Sequence, residues 1–455
     1  MPVFEKRSVM PVAANELYAW HARRGAFERL APPWQRLRVV ERSGGIADGD
    51  RLVMEYRMGP VKRRWVAVHK DHVAGQRFTD VQQEGPFASW EHRHRFVAEG
   101  DDSSLLDDHV EYRLPGPAAA QRAAAGVAGR RLARLFEFRH ARTRNDLERH
   151  APYRERPRLR VAVTGGSGFI GGALTAFLTT GGHEVVRLTR RSDPGEGWVH
   201  WDPSAGVIDA ASLEGLDAVV HLAGTSISGL WTPSRRREIL ESRRQGTDLI
   251  ARTAAALERG PRVIVSASAV GWYGSRGDEE LTEESGPGAG FLAEVCRVWE
   301  DSLAPAREAG IRTVSTRFGL VFGGAGGLLA TMLPAFKLAA GARFGRGDQW
   351  MSWIAIDDLL GAMLQVLYDE SFDGAVNVTA PAPVTNREFT ATLARVVRRP
   401  APFFAPRVVL ERGLGEMGRD LLLTSQRVSP ARLTAAGFTW LSPDLETALR
   451  FELGR

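Results

Sequence analysis

Cysteine is almost missing from this chain. Cys296 is the only one in 455 residues, so no internal disulfide can form and a reducing cytoplasm is the expected location. Long apolar runs are missing as well. No stretch approaches the ~20 residues that a membrane span needs, so no membrane partner is expected. The opening MPVFEKRSVMPVAANE has no apolar block behind its charges, so no secretory leader is expected there. No internal repeat or low-complexity tract stands out. Basic charge is present, with a net charge of +6 and a pI near 9.8. Its densest patch, Arg130 to Arg160, carries no recognition-helix, zinc-finger or RNA-binding signature. It reads as a solvated helix face and a linker, and no nucleic-acid partner is expected.

What remains is a soluble, globular composition, 44% hydrophobic and 25% charged. At ~150 residues per domain, the length points to two or three domains. The first part reads as short β segments at Phe4–Met10, Gln35–Glu41, Arg51–Arg57, Arg64–Lys70, Ala88–Val97 and Leu105–Arg113. Helical pieces around Asn15–His21 and Ala26–Leu30 interrupt them. A long amphipathic helix then runs from Ala118 to about Arg149, with Val127, Leu132, Leu135, Phe136 and Phe138 as its apolar stripe. A curved antiparallel sheet gripping that helix is the simplest way to bury the stripe.

This arrangement, with GAFERLAPPW (Gly25–Trp34), resembles the START-like, polyketide-cyclase-like helix-grip domains. The resemblance implies an apolar ligand in an enclosed cavity; a packing or docking domain with a filled core is the other reading. The histidine pairs His92/His94 and His69/His72 lack a surrounding ligand pattern, and a polar strand face accounts for the first pair. No metal is expected. The domain spans 1–150, with a proline-rich, charged linker at 151–158.

From residue 159 apolar strands alternate with helix-length segments: Leu159–Thr164, Glu184–Thr189, Ala218–Leu222, Arg262–Ser266 and Thr313–Phe318. Such strands form a parallel sheet covered on both faces. The fold class is therefore an α/β, Rossmann-like doubly wound parallel sheet over 159–398, preceded by an α+β helix-grip domain. A small helical domain follows at 399–455. Between the first strand and its helix, Gly165 makes the tight turn, Gly168 admits a pyrophosphate and Gly171 allows close helix packing. No Gly-Lys-Ser/Thr follows, which excludes a P-loop. At the end of the second strand, where an acidic residue would hold a ribose 2′-hydroxyl, stand Thr189, Arg190 and Arg191. Two guanidinium groups suit a 2′-phosphate, hence NADP rather than NAD.

TGGSGFIG (Thr164–Gly171) resembles the TGxxGxxG loop of extended short-chain dehydrogenase/reductases, the sugar-nucleotide epimerase and dehydratase group. HLAG (His221–Gly224), SRRQGTDLI, SASAVGWYG, RFGLVFG and WIAIDDL follow in the family's order. The similarity is greatest to an atypical epimerase-like subgroup that ends in a small domain of unknown function. It implies a cofactor site made by Thr164, Gly165, Gly168, Phe169, Ile170, Gly171, Arg190, Arg191, His221, Leu222, Ala223 and Gly224. The family's Tyr-x-x-x-Lys dyad is absent. Counted back from Glu300, its slots fall on Leu292 and Cys296, and the domain's only lysine is Lys337. Substitutes are Ser268, at the strand end, and Tyr273, the nearest phenol; Glu294 reads as an exposed helix residue and Cys296 as a small buried hydrophobe. Trp231 with Arg235, and Arg243 with Trp272 and Trp353, are candidate liners of a cleft for a small-molecule, anionic substrate. The expected function is an NADP-dependent oxidoreductase or epimerase-like reaction at an oxygen-bearing carbon. The alternative is a non-catalytic NADP sensor or ligand binder, and the oligomeric state cannot be read.

Overall fold

The computed structural model describes residues 2–35, 37–58, 61–193, 195 and 197–455. The chain divides into two compact units, one running to Pro157 with Ala176–His183 and Gly454, the other holding the rest from Arg158. Among the described residues no helix is long and apolar enough to cross a membrane.

The first unit is a seven-stranded antiparallel sheet. Its strands are β1 (Val3–Met10), β2 (Leu37–Ser43), β3 (Arg51–Met58), β4 (Val61–Val73), β5 (Arg77–Glu84), β6 (Ser89–Ala98) and β7 (Ser104–Arg113). They lie in the order β1-β7-β6-β5-β4-β3-β2, a meander whose first strand returns beside its last. Helices α1 (Ala14–Ala22) and α2 (Ala26–Leu30) follow β1. The 33-residue α3 (Ala118–His150) buries Leu132 and Phe136 against Trp90, Val110 and Tyr112 of the sheet. The helix-grip expectation stands.

Four details differ from the sequence reading. The strand expected at Gln35–Glu41 begins at Leu37, and Arg36 lies outside the described residues. β5 was not anticipated: in RFTDVQQE the inward face holds Phe78 and the carboxylate of Asp80, so no apolar alternation shows. Val127 is exposed and does not belong to the stripe. His92 and His94 do share one strand face, as expected, but that face is the inward, largely aromatic one rather than a polar one. They are 1% and 6% exposed, pointing inward between Trp90 and Phe96.

The second unit holds an eight-stranded sheet. Its strands are β8 (Arg160–Thr164), β9 (Glu184–Thr189), β10 (Trp198–Asp202), β11 (Val207–Ile208), β12 (Ala218–His221), β13 (Val263–Ala269), Arg312–Phe318 and Gly374–Val378. The order is β11-β10-β9-β8-β12-β13, then Arg312–Phe318 and Gly374–Val378, parallel throughout except for β11. Strand order reverses between β8 and β12, the switch point where such sheets open a crevice at their carboxyl ends. Helices α4 (Phe169–Thr180), α5 (Pro233–Ala256) and α6 (Phe291–Asp301) follow β8, β12 and β13. Ala162, Val219 and Ile264 of the sheet share a core with Ile250 and Ala254 of α5.

The segment after Arg399 is not purely helical. Phe403–Ala405 pairs with Ala342–Phe344, and Arg427–Val428 pairs with Glu280–Leu281. Its last helix, Leu445–Leu453, shares a core with Phe322, Trp353 and Phe389.

Candidate functional site

At the switch point, β8 ends on Thr164 and the chain turns through Gly165 at φ +69°. A side chain at Gly165 would meet the Leu222 backbone at 3.0 Å, and one at Gly171 would overlap the Gly165 carbonyl oxygen. Both positions therefore need glycine for packing. Gly168 is different: the nearest atom to a Cβ there would be 3.2 Å away, and Gly168 is exposed at the loop tip beside Ser167. α4 starts immediately afterwards, so the free N–H groups of its first turn and its positive dipole end face the loop opening. Within TGGSGFIG, the Phe169 ring lies against Gly323 and Gly326, which makes it a packing residue.

HLAG closes the crevice from β12. Leu222 and Ala223 N–H groups donate to Thr164 Oγ1 at 3.0 and 3.1 Å, and Thr164 Oγ1 lies 2.8 Å from His221 Nδ1. Burial, aided by the Arg243 charge, pushes His221 down to about 3, so its imidazole is neutral. Arg243 of α5 donates from Nη1 to the carbonyls of Thr225 and Ile239, both at 3.0 Å, and lies over Trp299. It thereby fixes the chain just past Gly224. At the end of β9, Arg190 and Arg191 are both exposed, and neither guanidinium has a partner among the described residues.

The candidate catalytic residues sit in a buried polar chain. Ser268 Oγ donates to Glu300 Oε1 at 2.7 Å. Arg317 holds both Glu300 oxygens at 2.9 Å through Nε and Nη2. Arg317 Nη1 also donates to Tyr273 Oη at 3.0 Å, and Tyr273 Oη donates to Asn377 Oδ1 at 2.7 Å. Tyr273 is fully buried, with its pKa raised by burial. Tyr273, a candidate substitute for the missing dyad, has its hydroxyl committed in both directions. Glu294 is exposed, while Leu292 and Cys296 face Gly271. Burial, then Glu300, raises the Cys296 thiol to about 11, so it stays a neutral thiol that donates to the Ala269 carbonyl.

The expected tryptophan–arginine cleft does not assemble as one group. Trp353 is fully buried and stacks on Phe322, Trp272 lies 4.0 Å from the Arg317 guanidinium, and Arg243 pairs with Trp299. Trp231 and Arg235 do share one patch, bonding the carbonyls of Ile227 and Ser226. Asn377 was missed in the sequence because a lone Asn in GAVNV carries no spacing signal; Glu300 was seen only as a helix acid.

Known proteins agree with this architecture. Residues 161–378 match the NAD dependent epimerase/dehydratase family, 10–138 match the family of polyketide cyclases, dehydrases and lipid transport proteins, and 405–452 match a domain of unknown function, DUF1731. An epimerase family protein of Mycobacterium bovis, Mb2239, is 39% identical over 296 residues, which are 65% of this chain and 98% of the relative. The chain belongs to the NAD-dependent epimerase/dehydratase family. The crystal structure of a nucleoside-diphosphate sugar epimerase from Corynebacterium glutamicum superposes with a TM-score of 0.81 at 35% identity, covering 99% of this chain and 90% of that one. The crystal structure of the human epimerase family protein SDR39U1 with NADPH gives 0.59 at 33% identity, covering 65% of this chain and 99% of that one.

Proposed function

We propose that the second unit binds NADP(H) and uses it for hydride chemistry at an oxygen-bearing carbon of a small anionic substrate of the nucleotide-sugar class. The observation that carries the reading is the crevice built by Thr164, Gly165 and Gly171 against Leu222 and Ala223, with two exposed arginines, unpartnered among the described residues, at the neighbouring strand end. The helix N-terminus takes the pyrophosphate, and Arg190 with Arg191 takes the 2′-phosphate. The human relative's NADPH supports the choice of cofactor, and the bacterial nucleoside-diphosphate sugar epimerase supports the substrate class. When bound, the cofactor supplies the hydride chemistry.

The residues of this chain do the positioning. Ser268 already donates its proton to Glu300, whose two oxygens are held by the Arg317 fork, so the hydroxyl is fixed in place by that network. Ser268 orients through that network, and the proton comes from water or from the substrate itself. NADPH with a panel of nucleotide-sugar and simple carbonyl compounds tests this, read by cofactor oxidation and by product isomerisation. The reading expects turnover that falls about tenfold or more in Ser268→Ala, the value of one lost orienting hydrogen bond. Tight cofactor binding with no product from any compound would favour the second reading, a non-catalytic NADP sensor. The filled slots at Leu292 and Cys296 and the sealed Tyr273 speak for that alternative.

A further inference from the structure

The first unit contains a buried cluster with no part in the dinucleotide reading. β5 contributes Asp80, β6 contributes His92 and His94, and β7 contributes Asp108. The register sets Asp80 opposite His92, and Asp108 opposite His94. His92 and His94 are two residues apart on one strand, so both imidazoles stand on the same inward face. Asp80 Oδ1 lies 3.2 Å from His92 Nδ1 and 3.2 Å from His94 Nε2. The ligand atoms of Asp80, His92 and His94 all lie within 4.8 Å of one another.

The other edges of the two rings meet a second carboxylate. Asp108 Oδ1 is 3.2 Å from His92 Nε2 and 2.8 Å from His94 Nδ1. Neither contact is aligned as a hydrogen bond, and both nitrogens and Asp108 Oδ1 are buried without one. Asp108 Oδ2 is bonded to His140 Nε2 at 2.9 Å, and Asp80 Oδ2 accepts from Trp90 Nε1 at 3.3 Å. The unsatisfied nitrogens and Asp108 Oδ1 face one another on the side of the rings away from Asp80.

The charge of the two carboxylates can be met by protons on the imidazoles, with Arg139 beside them, or by a metal ion. The buried Asp108 and the half-buried Asp80 need compensating positive charge. Protonating both imidazoles would place two cations in rings whose centres are 3.8 Å apart, where like charges repel strongly. One divalent ion between Asp80, His92 and His94 supplies the same charge with both rings neutral. Asp108 Oδ1 then stands 3.2 and 2.8 Å from the far nitrogens of the two rings, the side on which a carboxylate orients metal-ligating histidines. Two imidazoles and one carboxylate suit a first-row transition metal such as Zn²⁺, with spacings near the ~3.3 Å expected between ligands about 2.0 Å from a tetrahedral ion.

We propose that Asp80, His92 and His94 bind one divalent transition-metal ion whose open coordination position faces a cavity in the first unit. The cavity measures about 310 Å³ and is walled by these three residues together with Trp65, Phe78 and Leu132. Arg139 reaches the same cavity, and its guanidinium bonds the Leu30 carbonyl. An apolar molecule carrying an acid group matches this wall: its tail fills the pocket while its oxygen meets the ion.

The test uses the full, tag-free chain, freed of metal with a chelator and titrated with Co²⁺ under visible spectroscopy. One equivalent per chain should develop the d–d bands of a low-coordinate nitrogen–oxygen site, and Zn²⁺ should displace it. His92→Ala and His94→Ala should lose the bands, whereas Asp108→Asn should weaken binding by roughly 10–100-fold. Far-UV circular dichroism checks that each variant is folded. No stoichiometric bands in the wild-type chain, or full binding in folded His92→Ala, overturns the proposal.

Discussion

His221 keeps its proton off because burial and the Arg243 charge both disfavour the imidazolium, and that has a pH signature. Its folded pKa of about 3 lies below the ordinary value of 6.5, so unfolding takes up a proton anywhere between those values. The stability that a neutral His221 leaves intact above pH 6.5 is lost as pH falls toward 3, by up to about 1.4 kcal/mol per pH unit. Between pH 7 and 5 the wild-type chain should therefore lose about 2 kcal/mol more than His221→Gln in urea denaturation. Equal losses would show that His221 is not held neutral in the fold. Residue identity in the glycine loop was legible because Gly165 and Gly171 are forced by steric contact within the fold itself. Tyr273 was not legible: whether a phenol faces substrate or core depends on Asn377, about a hundred residues later, which no local pattern announces.

At the scale of elements, a buried ion pair ties α6 to the sheet beside its apolar packing. Glu300 on α6 meets Arg317 on the strand Arg312–Phe318, and their side chains are 11% and 4% exposed. Removing one partner leaves the other charged, buried and unpaired, which costs about 3–5 kcal/mol. Arg317→Met should lower the stability of the second unit by that amount and also release Ser268 and Tyr273, seen as faster amide exchange in α6 and β13. A loss below about 1 kcal/mol would mean that the network does not hold these elements. Most strands were readable in place, because continuous apolar runs such as VAVT and AVVH are buried on both faces. β5 was invisible for the converse reason, since Asp80 occupies an inward position that the alternation rule reserves for apolar side chains.

For the whole molecule, the last fifty residues do not stand alone. Leu445, Leu449 and Leu453 are buried in one core with Phe322, Trp353 and Phe389. Leu449→Ala should destabilise the second unit by about 2–5 kcal/mol, measured by thermal or urea unfolding. An effect confined to local fraying of the terminal helix would contradict the shared core. The sequence suggested a helical appendage there because two-residue strands such as Arg427–Val428 are too short to leave a periodic trace. The units themselves were legible from the change of grammar near residue 158, where alternating strands give way to apolar strands separated by helices.

The central claim is that the crevice at β8, β9 and β12 holds NADP(H) through its 2′-phosphate. Calorimetric titration of the full chain with NADPH and with NADH tests it most directly, repeated on Arg190→Ala/Arg191→Ala. NADPH should bind the wild-type chain at least about tenfold more tightly than NADH, the value of a single charge-assisted contact. The double variant should lose that preference while its NADH affinity stays the same. Equal affinities in the wild-type chain, or a preference that survives the loss of both arginines, would contradict the account.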